Sequence, residues 1–205
     1  MGVFDLKSEF AKYGEYHANK LNVAIHMVFV PTILWTFLAM ATSWGPHELF
    51  EYPAPVASLL SNIPGPNPLP NIATVTMLGY VVFYTILDQF AGLLTIPIIY
   101  TFLVTAQQFV LTNPNGMKIT IGLFVFSWLI QFIGHGFFEK RAPALMDNLV
   151  QALVMAPFFV FLEVLFALGY RRSFQRELRN EIGSRILAFR RQQKQKAVGA
   201  AKATE

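Results

Sequence analysis

The chain has 205 residues, 54% hydrophobic and only 14% charged. Soluble domains carry about a quarter charged residues, so a fully water-facing surface is excluded. The net charge of +4 is unevenly placed: no Lys or Arg lies between Lys20 and Lys118, and ten of the 16 fall between Arg171 and Lys202. That is a basic tail against anionic lipid rather than the folded basic surface a nucleic-acid partner needs. With no cysteine, disulfides, thiolate catalysis and cysteine-ligated metals are excluded.

In chain order, Phe4 to Tyr16 places Phe4, Leu6, Phe10, Tyr13 and Tyr16 near helical spacing, which predicts a short amphipathic helix at the membrane surface. Its polar start excludes a signal peptide, and Leu6 where Ser or Thr is usual argues against myristoylation at Gly2. His17, Asn22 and His26 follow, leading into a first span over about Val23 to Ser43. His17 and His26 are nine apart, about 180° on one continuous helix, so a shared site needs a break near Asn19–Lys20. Trp44 to Asn71 is rich in Pro and Gly and has no basic residue, which predicts a loop on the face opposite the basic segments. His47 reads as a solvent-facing loop residue.

A second span over Ile72 to Leu87 and a third over Phe90 to Leu111 form a tight hairpin about Asp88–Gln89. A turn at Thr112 to Gly116 leads to a fourth span, about Lys118 to Phe138. Counting crossings brings His17, His26, Asp88, His135 and Glu139 to one membrane face. The last apolar stretch, about Asn148 to Tyr170, carries Gln151, Pro157 and Glu163 and either spans or is re-entrant. Only a broken segment keeps the basic tail on the histidine side, as positive-inside bias requires. The expected fold is an all-α polytopic membrane bundle. It has four spans, a fifth spanning or re-entrant segment and an N-terminal interfacial helix. Residues 1–170 form the membrane-embedded catalytic domain, and 171–205 a basic tail, helical and then disordered from Gln193.

The densest polar stretch beside apolar sequence is Trp128 to Gln151, holding His135, Glu139, Lys140, Arg141, Asp147, Asn148 and Gln151. Such groups are costly at a membrane and point to function. His135 and Glu139, four apart, share a helical face. Imidazole and carboxylate donors without sulfur suit iron(II), manganese or zinc. The predicted metal ligands are His17, His26 and His135 with Glu139 or Asp88, leaving positions open for oxygen and a chelating substrate. The alternative for each histidine is a hydrogen bond in the interfacial belt. Four histidines are too few for the histidine boxes of di-iron desaturases, and no GxSxG elbow, P-loop or dinucleotide fingerprint is present.

The stretch YGEYHANKLNVAIHMVFVP, with His17, Asn22, His26 and Pro31, and the stretch QFIGHGFFEKRAPALMDNLVQALVMAPFFVFLE together resemble the small endoplasmic-reticulum 2-hydroxy fatty acid dioxygenases of fungi, which have bacterial and plant relatives. The resemblance covers about Phe4 to Tyr170; the Pro-rich loop is longer than in compact members. It implies iron(II)-dependent α-oxidation in the endoplasmic-reticulum membrane. Oxygen cleaves the C1–C2 bond of a 2-hydroxy fatty acid, leaving an acid one carbon shorter, in phytosphingosine degradation. The residues accommodate this. A 2-hydroxy acid chelates through carboxylate and hydroxyl, its tail lies between apolar helices, and Lys140 or Arg141 either pairs with its carboxylate or serves as a positive-inside anchor. Asn22, Asp147, Asn148 and Gln151 hold the imidazoles in one tautomer. Two readings from other classes stand beside it: a zinc- or iron-dependent membrane hydrolase, and a non-enzymatic scaffold or lipid carrier with structural histidines.

Overall fold

Away from water every backbone N–H and C=O must find its partner within the protein, and a helix does this inside a single segment. A computed structural model describes residues 4–140 and 151–203. Among the described residues the chain is all-helical, with eight α-helices: α1 (Leu6–Tyr16), α2 (Lys20–Ala41), α3 (Ala54–Ser61), α4 (Ile72–Leu87), α5 (Gln89–Thr112), α6 (Gly116–Gly134), α7 (Ala156–Ala167) and α8 (Arg172–Ala203). Single π-helical turns follow α6 (His135–Glu139) and precede α7 (Gln151–Met155). Three helices, α2, α5 and α6 with its π turn, are long and apolar enough to cross a membrane; α4 and Ala152–Ala167 are shorter apolar helices. This is the pattern of a membrane protein. Two expectations change in detail. The Pro-rich loop contains the two-turn helix α3, started by Pro53 and Pro55 where a missing N–H costs nothing. The tail is helical through Ala203, across the stretch expected to be disordered.

Helix α2 is central, packed against α6, α5, α7 and α4. At one end the hairpin of α4 and α5 closes over Gly92, where a Cβ would lie 2.4 Å from the Thr85 backbone nitrogen. Only a glycine lets the two backbones approach so closely. Asp88 ends α4 and starts α5, its Oδ1 accepting from the Ala91 N–H at 3.0 Å. At the other end the loop is tied to α5: Gln107 Oε1 accepts from the Leu69 N–H at 2.8 Å, and its Nε2 donates to Asn71 Oδ1 at 3.1 Å.

The last apolar stretch is broken, for a reason visible in its chemistry. Pro157 has no N–H to give the carbonyl of Leu153, one turn back. The Tyr80 hydroxyl donates to that carbonyl instead, at 2.9 Å, and the Tyr84 hydroxyl donates to Val154 O at 2.8 Å. Tyr80 stands midway along α4 and Tyr84 one turn nearer its end, so α7 starts inside the bundle and runs back toward the histidine end. Tyr84 is 1% exposed, and its ring stacks on Phe158 at 4.6 Å.

At that end Tyr170 Oη donates to Asp88 Oδ1 at 2.8 Å and Arg171 Nη1 pairs with Oδ2 at 2.7 Å. Burial pushes the Asp88 carboxyl up, but the Ala91 amide, Tyr170 and Arg171 outweigh it and hold it below its usual value. The chain then turns into α8, which packs along α1: Lys7 pairs with Glu177 at 2.8 Å, and Ile182 lies against Gly14. Helix α1 therefore buries Leu6, Phe10, Ala11 and Tyr13, with the Phe10 and Tyr13 rings 5.0 and 5.2 Å from Phe159 of α7.

Two stability measurements in detergent follow. Tyr84→Phe removes the hydrogen bond to the Val154 carbonyl and should cost about 0.5–1.5 kcal/mol, read as a lower thermal midpoint; an unchanged midpoint would mean this bond does not support the junction. Asp88→Asn loses the Arg171 pair, worth about 1 kcal/mol because the guanidinium is half exposed. Since the folded carboxyl titrates below its unfolded value near 3.9, that stability is present above about pH 4 and fades as pH falls through the lower folded value. The wild-type and Asp88→Asn midpoints should therefore converge in acid.

Candidate metal centre

The break between α1 and α2 makes the site. Helix α1 stops at Tyr16, and α2 starts at Lys20 with Asn19 as its cap, Oδ1 accepting from the Leu21 N–H at 2.9 Å. The extended residues between swing His17 back over the start of α2, as the nine-residue spacing requires. His17 and His26 then lie with ring centroids 4.4 Å apart, and each is 4.9 Å from His135 of the π turn after α6. The rings are nearly perpendicular in every pair, at 74–81°. Gly134 lets α6 approach: a Cβ there would lie 2.7 Å from Asn22 Oδ1.

The hydrogen bonds decide which nitrogen of each ring is free. His17 Nδ1 donates to Tyr13 O at 2.7 Å and His26 Nδ1 to Asn22 O at 2.9 Å. A carbonyl only accepts, so Nδ1 carries the proton and Nε2 keeps its lone pair. His17 Nε2 and His135 Nδ1 are buried without a partner. One nitrogen from each of the three rings lies within 4.8 Å of the others. Nitrogens bound to one ion at ~2.0–2.1 Å stand at most ~4.2 Å apart, so small ring rotations bring the three to a common ion. Burial, and then the neighbouring His26, hold His17 well below the usual imidazole range, keeping it neutral as a ligand must be. Tyr13 stacks on it at 4.0 Å. Three imidazoles converging with ring nitrogens left unpartnered, and no sulfur, fit a first-row divalent metal.

The other expected residues are placed as follows. Glu139 is not in the imidazole group: its Oε1 accepts from the Asn19 N–H at 2.8 Å and from Asn22 Nδ2 at 3.2 Å. The carboxylate thus sits on the positive N-terminus of α2, drawn there by the π turn. Asp88 is likewise absent from the group, committed to Ala91, Tyr170 and Arg171. Asn22 is fully buried, with Nδ2 on Glu139, its backbone carbonyl on His26 and Oδ1 unpartnered. Lys140 is exposed and ends the π turn in the left-handed region, φ 52°. Arg141, Asp147 and Asn148 lie outside the described residues, and Gln151 begins the second π turn. His47 is exposed in the loop after α2. Glu163 is half-buried in a concavity with Phe10, Gln175 and Arg179, away from the three rings. Sequence reasoning missed Tyr13, whose ring fixes His17; four residues before a histidine on a helix is the signal that could have found it.

A cluster of three histidines that could hold a metal ion, two of them buried, lies at one end of an apolar helical bundle, the arrangement of a membrane protein with a candidate metal site. Comparison with known proteins narrows this. Residues 3–168 match the family model described as 2-hydroxy-palmitic acid dioxygenase Mpo1-like. The chain is 35% identical over 195 residues to the 2-hydroxy-palmitic acid dioxygenase MPO1 of Saccharomyces cerevisiae, covering 93% of this chain and 98% of that protein. The chain belongs to the Mpo1-like family. No solved structure matches it.

Glu139 offers a test that separates a ligand from a support. Glu139→Gln keeps an acceptor for the α2 N-terminus and should keep metal affinity within a few fold. Glu139→Ala should lower it about 10–100-fold, as losses of hydrogen-bonded support to ligands do. Titration calorimetry reads both; equal loss in the two variants would make Glu139 a ligand.

Proposed function

We propose that this chain is an iron(II)-dependent dioxygenase that converts a 2-hydroxy fatty acid to the fatty acid one carbon shorter. The observation that carries the reading is the convergence of three imidazoles, two of them buried, in a chain of the Mpo1-like family. His17, His26 and His135 would hold the ion. When bound, iron(II) supplies oxygen activation and open positions for the carboxylate and hydroxyl oxygens of a 2-hydroxy acid. Overall, one O2 and one 2-hydroxy acid yield the shortened acid, carbon dioxide and water, with the C1–C2 bond broken.

The chain's own residues do the positioning. Tyr13 and Asn22 carbonyls fix the tautomers of His17 and His26, and Glu139 fixes the junction that aims them. Lys140 or Arg141 pairs with the substrate carboxylate, while Asp147 and Gln151 complete the polar surroundings. In the membrane, α4 serves as a fourth span, and residues 151–167 as a re-entrant segment. α1 lies at the interface under α8, whose arginines face anionic lipid on the cytosolic side. The setting is the endoplasmic-reticulum membrane, and the substrate arises in phytosphingosine breakdown.

The test is the metal content of purified protein, with oxygen uptake on a 2-hydroxy fatty acid. Wild type should carry about one iron per chain and consume oxygen. His26→Ala and His135→Ala should lose both, the thermal midpoint changing far less than on unfolding. Zinc without oxygen uptake would favour a hydrolase, and neither metal nor turnover would leave a scaffold.

A further inference from the structure

Two apolar cavities open on either side of Leu34 and Pro157. One, about 160 Å³, lies between α2, α5 and α7 and is lined by Met27, Ile98 and Phe102 among others. The other, about 200 Å³, lies between α2, α6 and the turn before α7, with Val30, Ile33, Phe37, Phe124, Trp128 and Gln131 in its wall. The walls differ in their polar groups: the Tyr84 and Thr95 hydroxyls of the first already donate to the Val154 and Gly92 carbonyls, whereas the second holds Gln131. Gln131 is 7% exposed, and its Nε2 is buried with no hydrogen-bond partner. A buried amide left without an acceptor is destabilising and calls for a reason.

Its position supplies one. Gln131 stands one helical turn before His135 on α6, opposite Val30, one turn after His26 on α2. From that level the cavity follows both helices away from the histidines. It reaches Phe37 and Phe124, each eleven residues from its own histidine, or about 16 Å at 1.5 Å per residue. An amphipathic ligand whose head is at the three imidazoles and whose tail follows this wall must pass its polar-to-apolar junction beside the unpartnered amide. The first cavity has no such donor at its histidine end, where Met27 lines it.

We propose that the cavity between α2 and α6 is the acyl-chain site, that Gln131 Nε2 donates to an oxygen of the 2-hydroxy acid head, and that Phe37 and Phe124 limit chain length. This rests on the dioxygenase reading for the identity of the ligand, but not for the location of the cavity.

Full-length protein in detergent tests it by two readouts: steady-state kinetics over 2-hydroxy acids of increasing chain length, and the thermal shift caused by the same acids. Gln131→Leu should raise KM about tenfold, the loss of one hydrogen bond to a charged group, with kcat and iron content little changed. Val30→Phe should move the preferred chain shorter and Phe37→Ala longer, while Ile98→Phe, in the other cavity, leaves it unmoved. A shift with Ile98→Phe alone would place the tail in the first cavity and overturn the proposal. So would a Gln131→Leu protein that loses iron and kcat at unchanged KM, because the amide would then serve the histidines. Wild type stabilised by the acids without consuming oxygen would sink the dioxygenase reading, yet leave the cavity standing if the variants shift binding as stated. Wild type not stabilised by any of the acids overturns the cavity itself.

Discussion

A single carboxylate at the N-terminus of α2 holds the functional end of this molecule together. The first N–H groups of a helix have no partner within it, and the stretch before α2 must be non-helical if His17 and His26 are to face each other. Glu139 meets both requirements, taking the Asn19 N–H and the Asn22 amide. One anion thereby fixes the break between α1 and α2 and the separation of α2 from α6. It also fixes the π turn that presents His135. The three imidazoles come from three different local structures, and this interaction spans all three.

Around that point the bundle resolves its polar groups in a consistent way. Two irregularities in the apolar segments are matched by side-chain groups from elsewhere in the chain. Pro157 frees the Leu153 carbonyl and Tyr80 takes it; the turn between α4 and α5 exposes Asp88, and Tyr170 with Arg171 take it. The second pairing also decides topology. With α7 starting inside the bundle and its end tied to Asp88, the basic helix α8 has to emerge at the histidine end. There its apolar face covers α1. The distribution of Lys and Arg along the chain and the broken helix are thus two consequences of one arrangement.

Much of this was legible in the sequence. The apolar runs gave four helices within a few residues of their bounds, because helices in an apolar medium follow from composition alone. The nine-residue interval between His17 and His26 implied the break, and Pro157 marked the place where the last apolar stretch changes from a π turn to an α-helix. The roles of Glu139 and Asp88 were not legible. A four-residue spacing to His135 suggests a shared face only for an α-helix, and the π turn changes that register. Asp88 lies at the histidine end, as counting crossings says, but Arg171, 83 residues away, claims its carboxylate. No local pattern announces such a partner. Gln131 escaped for the converse reason: one glutamine in an apolar run has no signature until its unpartnered amide is seen against a cavity.

The placement of the site at the end of the bundle has a physical logic for an amphipathic ligand. Bringing a charged head to mid-membrane would require desolvating it, whereas extracting a long acyl chain into water forfeits about 0.8 kcal/mol per methylene. A centre one or two turns inside the start of α2 and at the end of α6 would avoid both costs: such a head would meet the imidazoles near the interface while the tail stays among apolar side chains. The same depth explains the burial of His26 and His135 at 3% exposure each. Rings closer to water would be protonated more readily and lose the lone pairs that a metal needs. Rings deeper in the bundle would hold a metal that no polar head could reach.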